Sequence, residues 1–307
     1  MRKKLLCLIL ALLTVFGTIP SAFARQPKDI YPLAADQVPE PVEGQHHYLL
    51  MCVDQWQGKK GNLGNTDGMV LVTLDTRARR VMLTSFIRDL LVMRPDGKIG
   101  RINYIAKNFG PEALCNIIST HFGVKVEKYI LFDMKQVQEI INHLGGVDIT
   151  VTDAEANYLR RYAISKTSTT PSMGRAGTYR FGGHAAVIYM RIRKAGGGGD
   201  FMRTQRVRTV LSTLADQCRE ISYEEARALV DSVMENSTLT NMSTADMVEA
   251  MEFAMDLRGV TVEELRLPID ESVSALTYVG MSVQECDFDM CRKALDDYLQ
   301  NSFLVLD

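Results

Sequence analysis

Short apolar runs alternate with amphipathic stretches between residues 48 and 151, and this alternation constrains the fold more than any other feature. Pro111 suits the first position of a helix that ends before Gly123, and the apolar side chains within 137–144 form a helical stripe. Five runs have the length of strands: 48–53, 69–74, 81–86, 129–132 and 147–151. Strands that alternate with helices predict an α/β sandwich around one central sheet.

The second part of the chain has mostly helical periodicity. One apolar run, 260–267, has the pattern of a further strand. Four stretches have apolar side chains at helical spacing: 201–219, 222–235, 243–258 and 286–300. No internal repeat or break in composition marks a second domain, so we predict one domain with a helical C-terminal part.

The N-terminus has the three parts of a secretory signal peptide. Residues 2–4 are basic, and the apolar run that follows is about 15 residues long, shorter than the ~20 of a spanning helix. Ala22-Phe23-Ala24 then forms a small-x-small cleavage pattern. We predict that residues 1–24 are a signal peptide, with an uncleaved anchor as the alternative. In either case the chain is extracytoplasmic: secreted, or at the outer face of the cytoplasmic membrane or in the cell wall.

A proline-rich linker is predicted between this signal and the folded part. Residues 25–45 contain four of the nine prolines and little periodic apolar pattern. The domain is predicted to span residues 46–305. Five cysteines follow the signal, an odd and scattered set unlike a disulfide framework or a CxxC metal site. We expect buried free thiols, with a Cys286–Cys291 bridge as the alternative.

Charge is unevenly distributed along the chain. Without residues 1–24 there are 32 basic and 37 acidic side chains, a formal net charge of −5, which argues against nucleic acid as a partner. Residues 175–208 nevertheless contain eight basic residues and one acid, and seven of the eight are arginine. Because arginine binds phosphate and carboxylate groups in a bidentate way, this segment favours an anion site over a solvated basic face.

Charged side chains also stand where predicted strands end. Asp54 ends one strand and Asp67 begins the next, so neighbouring strand ends can bring the two carboxylates together. Such a pair can hold Mg²⁺ beside substrate phosphates, although the spacing alone favours ordinary turn and capping roles. Arg88 and Asp89 directly follow the strand at 81–86, at an edge where open α/β sheets bind ligands. The alternative for them is a surface ion pair.

The arginine-rich segment contains two pairs on either side of a glycine run. Arg191 and Arg193 occupy alternate positions of a stretch predicted to be extended, so their side chains share a face. Arg203 and Arg206 lie three apart near the start of a predicted helix and also share a face. Glycines 196–199 between the pairs would let both approach one anion such as pyrophosphate. The alternative is a flexible basic hairpin.

These elements, in this order, resemble the LytR–CpsA–Psr family of cell-envelope proteins, also called cell envelope-related transcriptional attenuator domains. The resemblance covers about residues 47–268. It rests on seven motifs: 49–54 (LLMCVD), 65–72 (NTDGMVLV), 83–89 (LTSFIRD), 101–103 (RIN), 144–148 (LGGVD), 189–194 (YMRIRK) and 200–206 (DFMRTQR). The resemblance implies an α-β-α sandwich around one central mixed β-sheet, with a hydrophobic pocket for a polyprenyl tail.

The resemblance also implies an activity and its partners. The expected protein is an extracytoplasmic phosphotransferase that moves a glycopolymer, of the teichoic acid or capsular polysaccharide type, from undecaprenyl pyrophosphate to peptidoglycan. It would work at a membrane surface with Mg²⁺, or Mn²⁺, as its cofactor. Two alternatives remain: a polyprenyl pyrophosphate hydrolase that uses the same site, and a non-catalytic binder of lipid-linked glycans or a regulator.

Three sets of candidate site residues follow from the resemblance and the charge pattern together. The metal ligands are Asp54 and Asp67. The pyrophosphate-binding residues are Arg88, Arg101, Arg191, Arg193, Arg203 and Arg206. The catalytic residues are Arg88, Asp89 and Asp200, and the resemblance makes Asp200 the candidate base toward the acceptor hydroxyl.

Three positions depart from the family pattern. Asn65 stands where the family usually has an arginine, Val207 stands where it usually has a glutamine, and Arg101 replaces a lysine and keeps the charge. The first two changes remove one cation and one hydrogen-bonding group. They put the rate or the substrate class in question, while the other arginines of the expected clamp are retained.

Overall fold

The computed structural model describes most of the chain. The predicted signal or anchor lies outside the described residues, as do parts of the loop after Asp54, part of the glycine run and the end of the predicted domain. The described ranges are 25–55, 63–161, 175–193, 195, 199–236 and 239–300. Within these ranges, no helix combines the length and the apolar character needed to cross a membrane.

The first half of the described part contains both strands and helices, as the periodicity predicts, with five strands before its first α-helix. The strands of the described part are, in chain order, β1 Gln45–Val53, β2 Thr66–Asp75, β3 Arg80–Phe86, β4 Leu91–Met93, β5 Ile99–Arg101, β6 Lys128–Phe132, β7 Val147–Val151, β8 Gly177–Phe181, β9 Leu239–Thr240, β10 Val262–Leu267, β11 Val273–Tyr278 and β12 Met281–Cys286. Its α-helices are α1 Ile105–Phe109, α2 Pro111–Phe122, α3 Met134–His143, α4 Asp153–Arg161, α5 Gly183–Met190, α6 Gly199–Gln217, α7 Tyr223–Asn236, α8 Thr244–Asp256 and α9 Phe288–Gln300.

The central sheet has six strands in the order β10-β3-β2-β1-β6-β9. The meander β1-β2-β3 is antiparallel, whereas β6 joins β1 and β10 joins β3 in parallel. The sheet is therefore mixed, which confirms the predicted architecture. The strand predicted at 147–151 also forms, but β7 pairs with β8 in a separate two-stranded antiparallel sheet outside the central sheet.

Alternation along β1 divides the interior into two layers. Leu49 and Met51 face a core that includes side chains of α2 and α9, because alternate residues of a strand point to opposite faces. Tyr48 and Leu50 face the other way and pack with side chains of α7 and α8. Helices thus cover both faces of the sheet, and the α-β-α sandwich is confirmed.

The two-stranded β7–β8 sheet packs with α4 and α5 around a further apolar cluster that includes Ile192. Helix α5 begins at Gly183, whose Cα passes so close to the backbone of Gln138 in α3 that any side chain there would clash. This close approach places the N-terminal end of α5 directly against α3. The candidate arginines 191 and 193 directly follow the C-terminal end of α5.

Two segments differ from the sequence interpretation. The predicted linker lies along the domain, because Ile30 is buried in the core and the Leu33 N–H donates to the Thr120 carbonyl at 2.8 Å. The C-terminal part also contains the β11–β12 hairpin, which the helical periodicity did not indicate. Its two-residue turn has positive φ at both Val279 and Gly280, the backbone of a type I′ turn, without the Asn-Gly signal that usually marks one.

Candidate functional site

A β-bulge at the start of β2 determines where Asp67 points. Cys52 pairs with Gly68 and Val53 pairs with Thr66, so Asp67 is an extra residue without a partner on β1. Thr66 is fully buried, whereas Asp67 lines a cavity together with Cys52. In a regular strand, Asp67 would point to the opposite face from Gly68. The bulge therefore brings this carboxylate to the cavity side of the sheet.

Three arginines from distant parts of the chain contact the Asp67 carboxylate. Arg88, just after β3, donates through Nη1 to Oδ1 at 2.8 Å and Oδ2 at 2.9 Å. Arg203 Nη1 lies 3.1 Å from Oδ2, and Arg193 Nη2 lies 3.3 Å from the same oxygen. This confirms that the strand end and the arginine-rich segment come together. The three guanidinium groups form the centre of what we call the arginine cluster: Arg88, Arg193 and Arg203.

Asp200 is the second carboxylate in the arginine cluster. It lies in the first turn of α6, where its Oδ1 accepts from Arg88 Nε at 3.1 Å and lies 3.0 Å from Arg203 Nε. Its Oδ2 accepts from Arg203 Nη2 at 3.2 Å. Because Asp200 and Arg203 lie three residues apart on one helix face, α6 presents both groups at its positive N-terminal end.

Asp89 and Arg101 lie at the side of the cluster. The Asp89 carboxylate is 3.6 Å from Arg88 Nε and 3.3 Å from Arg101 Nη1. Strand β12 supports both, since the Gln284 N–H donates to the Asp89 carbonyl at 3.0 Å and Arg101 donates to the Ser282 carbonyl at 2.8 Å. Burial raises the pKa of Asp89; the charge of Arg88 acts against this rise, and that of Asp200 adds to it.

Burial and the nearby carboxylates shift the pKa values of the clustered arginines in opposite directions. Burial lowers the pKa of Arg88, but the hydrogen bond from Arg88 to Asp67 and the nearby carboxylates more than offset it, so the net shift is upward. For Arg203, burial dominates and lowers the pKa, although Asp200 and Asp67 act in the other direction. Arg203 is thus a strongly desolvated cation, its side chain only 4% exposed, beside a cavity.

Two predicted pyrophosphate ligands have positions that differ from the sequence interpretation. The stretch predicted to be extended is helical up to Met190, and Arg191 is the C-terminal cap of α5, with φ −93° and ψ −2°. Arg191 Nη1 lies 3.1 Å from Met134 Sδ and faces the cavity. Arg206 is the larger correction: its guanidinium is buried against Glu155, away from the arginine cluster. The structure therefore does not bring Arg206 to the anion site.

An apolar cavity lies between the sheet and the helices, directly beside the cluster. It has a volume of about 280 Å³ and is lined mainly by apolar side chains of β1, β2, α3, α5 and α6. Three charged side chains also line it: Asp67, Arg191 and Arg203. Val207, one of the departures from the family pattern, lies in its wall, where a glutamine would add a polar group.

A second apolar cavity, of about 420 Å³, continues away from the charged groups between the sheet and α6, α7 and α8. Leu50 and Leu211 line both cavities. From Gly68 to Leu74 the two follow β2 over a distance of roughly 20 Å, at about 3.3 Å per residue. The arrangement suits an amphiphile with an anionic head and a long apolar tail.

The sequence interpretation did not identify the cavity walls. Leu211 and the methionines of α8 have ordinary helical spacing, which is typical of any core-facing helix. Only the distance between facing elements shows that these side chains leave space. Val207 was singled out as a departure from the family pattern, and that was the one sequence signal that pointed to the wall.

Comparison with known proteins supports the resemblance. A model of the LytR_cpsA_psr family matches residues 22–295. The chain belongs to this family. The match extends beyond the seven motifs and includes the β11–β12 hairpin and most of α9.

Two curated relatives are similar over about 71% of the chain. One is the polyisoprenyl-teichoic acid–peptidoglycan teichoic acid transferase TagV of Bacillus subtilis, 23% identical over 225 residues, which cover 54% of that protein. The other is the Biofilm regulatory protein A of Streptococcus mutans, 23% identical over 232 residues, which cover 55% of it. This LytR–CpsA–Psr chain therefore spans about half the length of each.

Solved structures have the same fold. A structure of TagT bound to LIIa-WTA superposes with a TM-score of 0.69 at 21% identity, covering 89% of this chain and 98% of that one. The crystal structure of B. subtilis TagV has a TM-score of 0.66 at 22% identity, covering 84% of this chain and 98% of that one. The α-β-α architecture is thus shared within the family.

Proposed function

We propose that this protein is an extracytoplasmic phosphotransferase that moves a glycopolymer, of the teichoic acid or capsular polysaccharide type, from undecaprenyl pyrophosphate to peptidoglycan. One observation carries the proposal: the arginine cluster adjoins an apolar channel, and Asp67 and Arg203 belong to both. A prenyl pyrophosphate has the matching chemistry, since its tail is apolar and its head carries several negative charges. The channel leads away from the arginine cluster, so the tail would extend along the sheet while the head meets the arginines.

The cluster is positively charged at its centre, as a binding site for pyrophosphate should be. Arg88, Arg193 and Arg203 meet two carboxylates, Asp67 and Asp200, so cations outnumber anions at its centre. A pyrophosphate would accept N–H bonds that these arginines now donate to Asp67. Phosphoryl transfer depends mainly on positioning and on neutralising charge in the transition state, and both are properties of preorganised arginines.

The proposed reaction breaks the phosphoanhydride bond of the pyrophosphate and forms a phosphodiester bond to the acceptor. The acceptor sugar hydroxyl attacks the phosphorus that bears the glycopolymer, and the bond from that phosphorus to the bridging oxygen breaks. Undecaprenyl phosphate leaves, and a carboxylate takes the hydroxyl proton. In the hydrolase alternative, water takes the place of the hydroxyl at the same site.

Asp89 is the carboxylate best placed to take that proton. Both oxygens of Asp200 already accept hydrogen bonds from arginines. In contrast, the buried Oδ1 of Asp89 is 3.3 Å from Arg101 Nη1 but accepts no hydrogen bond from the part of the chain that the structure describes. The raised pKa of Asp89 also suits a general base, which must be protonated during the reaction. We therefore propose Asp89 as the base, instead of the Asp200 that the resemblance implies.

The pH dependence tests this choice. A base must be ionised to act, so transfer should increase with pH through the raised pKa of Asp89, at a higher pH than an ordinary aspartate near 3.9 would give. In the Asp89→Asn variant, kcat should be low. The rise of the rate with pH, which is the acidic limb of the pH profile, should disappear. The matched control is Asp200→Asn, which should keep the limb. If instead Asp200→Asn removes the limb and Asp89→Asn keeps it, Asp200 is the base.

The residues at the ends of β1 and β2 fit a hard divalent ion. Asp54 and Asp67 are the two carboxylates there, and Asp54 Oδ1 accepts the Asn65 N–H at 2.8 Å. The described ranges contain no group of three or more His, Cys, Asp or Glu side chains that could hold a metal. Mg²⁺ commonly binds one or two carboxylates together with substrate phosphates. We propose that Asp54 and Asp67 hold Mg²⁺ or Mn²⁺, which would neutralise charge on the phosphoryl oxygens when bound.

A transfer assay tests the proposed function. The purified chain is incubated with a glycopolymer on undecaprenyl pyrophosphate, with and without peptidoglycan fragments, and with Mg²⁺ or a chelator. We expect polymer on peptidoglycan, release of undecaprenyl phosphate only when the acceptor is present, and loss of both with the chelator. Release without an acceptor would indicate the hydrolase, and binding without either product would indicate the binder.

A further inference from the structure

Arg206 forms a buried network just behind the loop that carries Arg193. Its Nε donates to Glu155 Oε1 at 2.6 Å, Nη1 donates to the Ile192 carbonyl at 2.8 Å, and Nη2 donates to the Ala195 carbonyl at 3.0 Å. The guanidinium also lies 5.9 Å from the centre of the Tyr189 ring. Arg206 is 2% exposed, so this charge is separated from solvent.

The two carbonyls that Arg206 holds lie on either side of Arg193. Ile192 is itself fully buried in the cluster around β7 and β8, which anchors the chain immediately before Arg193. The Arg193 side chain then turns outward and reaches Asp67 at 3.3 Å, while remaining 44% exposed. An exposed arginine has many rotamers, so its approach to Asp67 depends on where the backbone of Ile192 and Arg193 is held.

Glu155 connects this network to a second element. Its Oε1 accepts from Arg206, and its Oε2 accepts from the backbone and the hydroxyl of Thr152 at 2.9 and 3.0 Å, at the start of α4. The carboxylate is thus oriented by a helix N-terminus. Helices α4 and α6 are thereby linked to the loop through one buried ion pair.

The same arrangement occurs once more in the described part of the chain, far from the arginine cluster. Arg80 is buried, forms a bidentate pair with Glu263 at 2.7 and 2.6 Å, and donates to the Leu299 and Tyr298 carbonyls at 3.2 and 2.9 Å. It lies 5.8 Å from the Tyr298 ring. Arg80 holds the end of α9, whereas Arg206 holds a segment that carries a site residue.

We infer that Arg206 and Glu155 are positioning residues that hold the Ile192 and Ala195 carbonyls so that Arg193 reaches the anion site. This inference rests on the proposed function, because it concerns the pyrophosphate site described above. It reassigns Arg206 from a direct ligand of the anion to a residue that acts through Arg193. We therefore expect Arg206 to influence binding of the pyrophosphate head group and not binding of the apolar tail.

The test compares two probes, geranylgeranyl pyrophosphate and geranylgeraniol, which share the tail and differ in the head. The variants are Arg206→Lys and Glu155→Gln, with Arg80→Lys as the matched control for loss of a buried arginine pair. We expect Arg206→Lys to weaken pyrophosphate binding by about tenfold, since small misplacements of a binding group have effects of this order or more. Binding of the alcohol should not change. Arg80→Lys should lower thermal stability without changing either affinity.

A double variant shows whether Arg206 acts through Arg193. If it does, Arg206→Lys should add little further loss in an Arg193→Ala background. Full additivity, or a loss that Arg80→Lys reproduces, would overturn the inference. If Arg206→Lys does not fold, the same two affinities are measured for Glu155→Gln, which should lose less pyrophosphate affinity. Failure of the wild-type protein to bind geranylgeranyl pyrophosphate would instead contradict the proposed function itself.

Discussion

Arg203→Ala should reduce glycopolymer transfer by about 100- to 1,000-fold, the cost of removing one preorganised donor from a transition-state site. Arg203 is the residue that contacts both carboxylates of the cluster and also lines the apolar cavity. Its side chain is almost fully buried, so its charge is little screened by solvent. Rates with a lipid-linked glycopolymer and a peptidoglycan acceptor measure the effect. Arg203→Lys should recover only part of the activity, because an ammonium group cannot reproduce the bidentate fork.

The control for this prediction is Arg219→Ala. Arg219 lies in the turn just after α6 and forms an exposed pair with Asp216 at 2.7 Å. Such pairs contribute little to stability, and this one is at the other end of the helix. We therefore expect wild-type transfer. Equal rates for Arg203→Lys and the wild type, together with steep weakening by salt, would show a diffuse basic surface in place of a clamp.

Leu211→Trp should weaken the binding of long prenyl pyrophosphates by about 100-fold and leave short ones unaffected. Leu211 lines both apolar cavities, so an indole there would block the passage between them. Each buried methylene contributes about 0.8 kcal/mol, and displacing four of them costs about 3 kcal/mol. Affinities for geranylgeranyl and isopentenyl pyrophosphate measure the difference, since only the first has a tail that reaches the second cavity.

Leu239→Trp is the matched control for the cavity. Leu239 lies on the edge strand β9 with 42% of its surface exposed, so an indole there should leave both affinities unchanged. Equal losses for the long and the short probe in Leu211→Trp would mean that the substitution disturbs the arginine cluster instead. No loss for either probe would exclude this channel as the place of the tail.

Local patterns in the sequence were sufficient for most elements of the fold. The helix predicted from Pro111 to before Gly123 is α2, and the strand predicted at 147–151 is β7. Pro at the first helical position, Gly after the last and strict apolar alternation all act within a few residues. Such local signals do not show which strand a given strand pairs with. The sequence therefore did not show that β7 pairs with β8 outside the central sheet.

The candidate site was predictable in its residue types and only partly in its geometry. Arg88 and Arg203 were expected to bind pyrophosphate, Asp200 to act as a catalytic residue and Asp67 to bind the metal. The structure brings these four side chains together. Their charges and their places at strand ends and a helix start can be read along the chain. Asp54 and Asp67 were expected to share a metal through neighbouring strand ends, and that assignment remains a prediction.

Tertiary structure alone decided three features. The bulge opposite Val53 turns Asp67 toward the cavity, and bulges leave no periodic signal in sequence. Arg206 lies in the same arginine-rich segment as Arg203, three residues further along the helix. Its side chain nevertheless pairs with Glu155, 51 residues away, because Arg206 and Arg203 have different neighbours in the folded chain. The apolar channel depends on how far α6, α7 and α8 stand from the sheet. Sequence thus determined which side chains avoid water, whereas packing between distant elements determined where charges meet and where space remains.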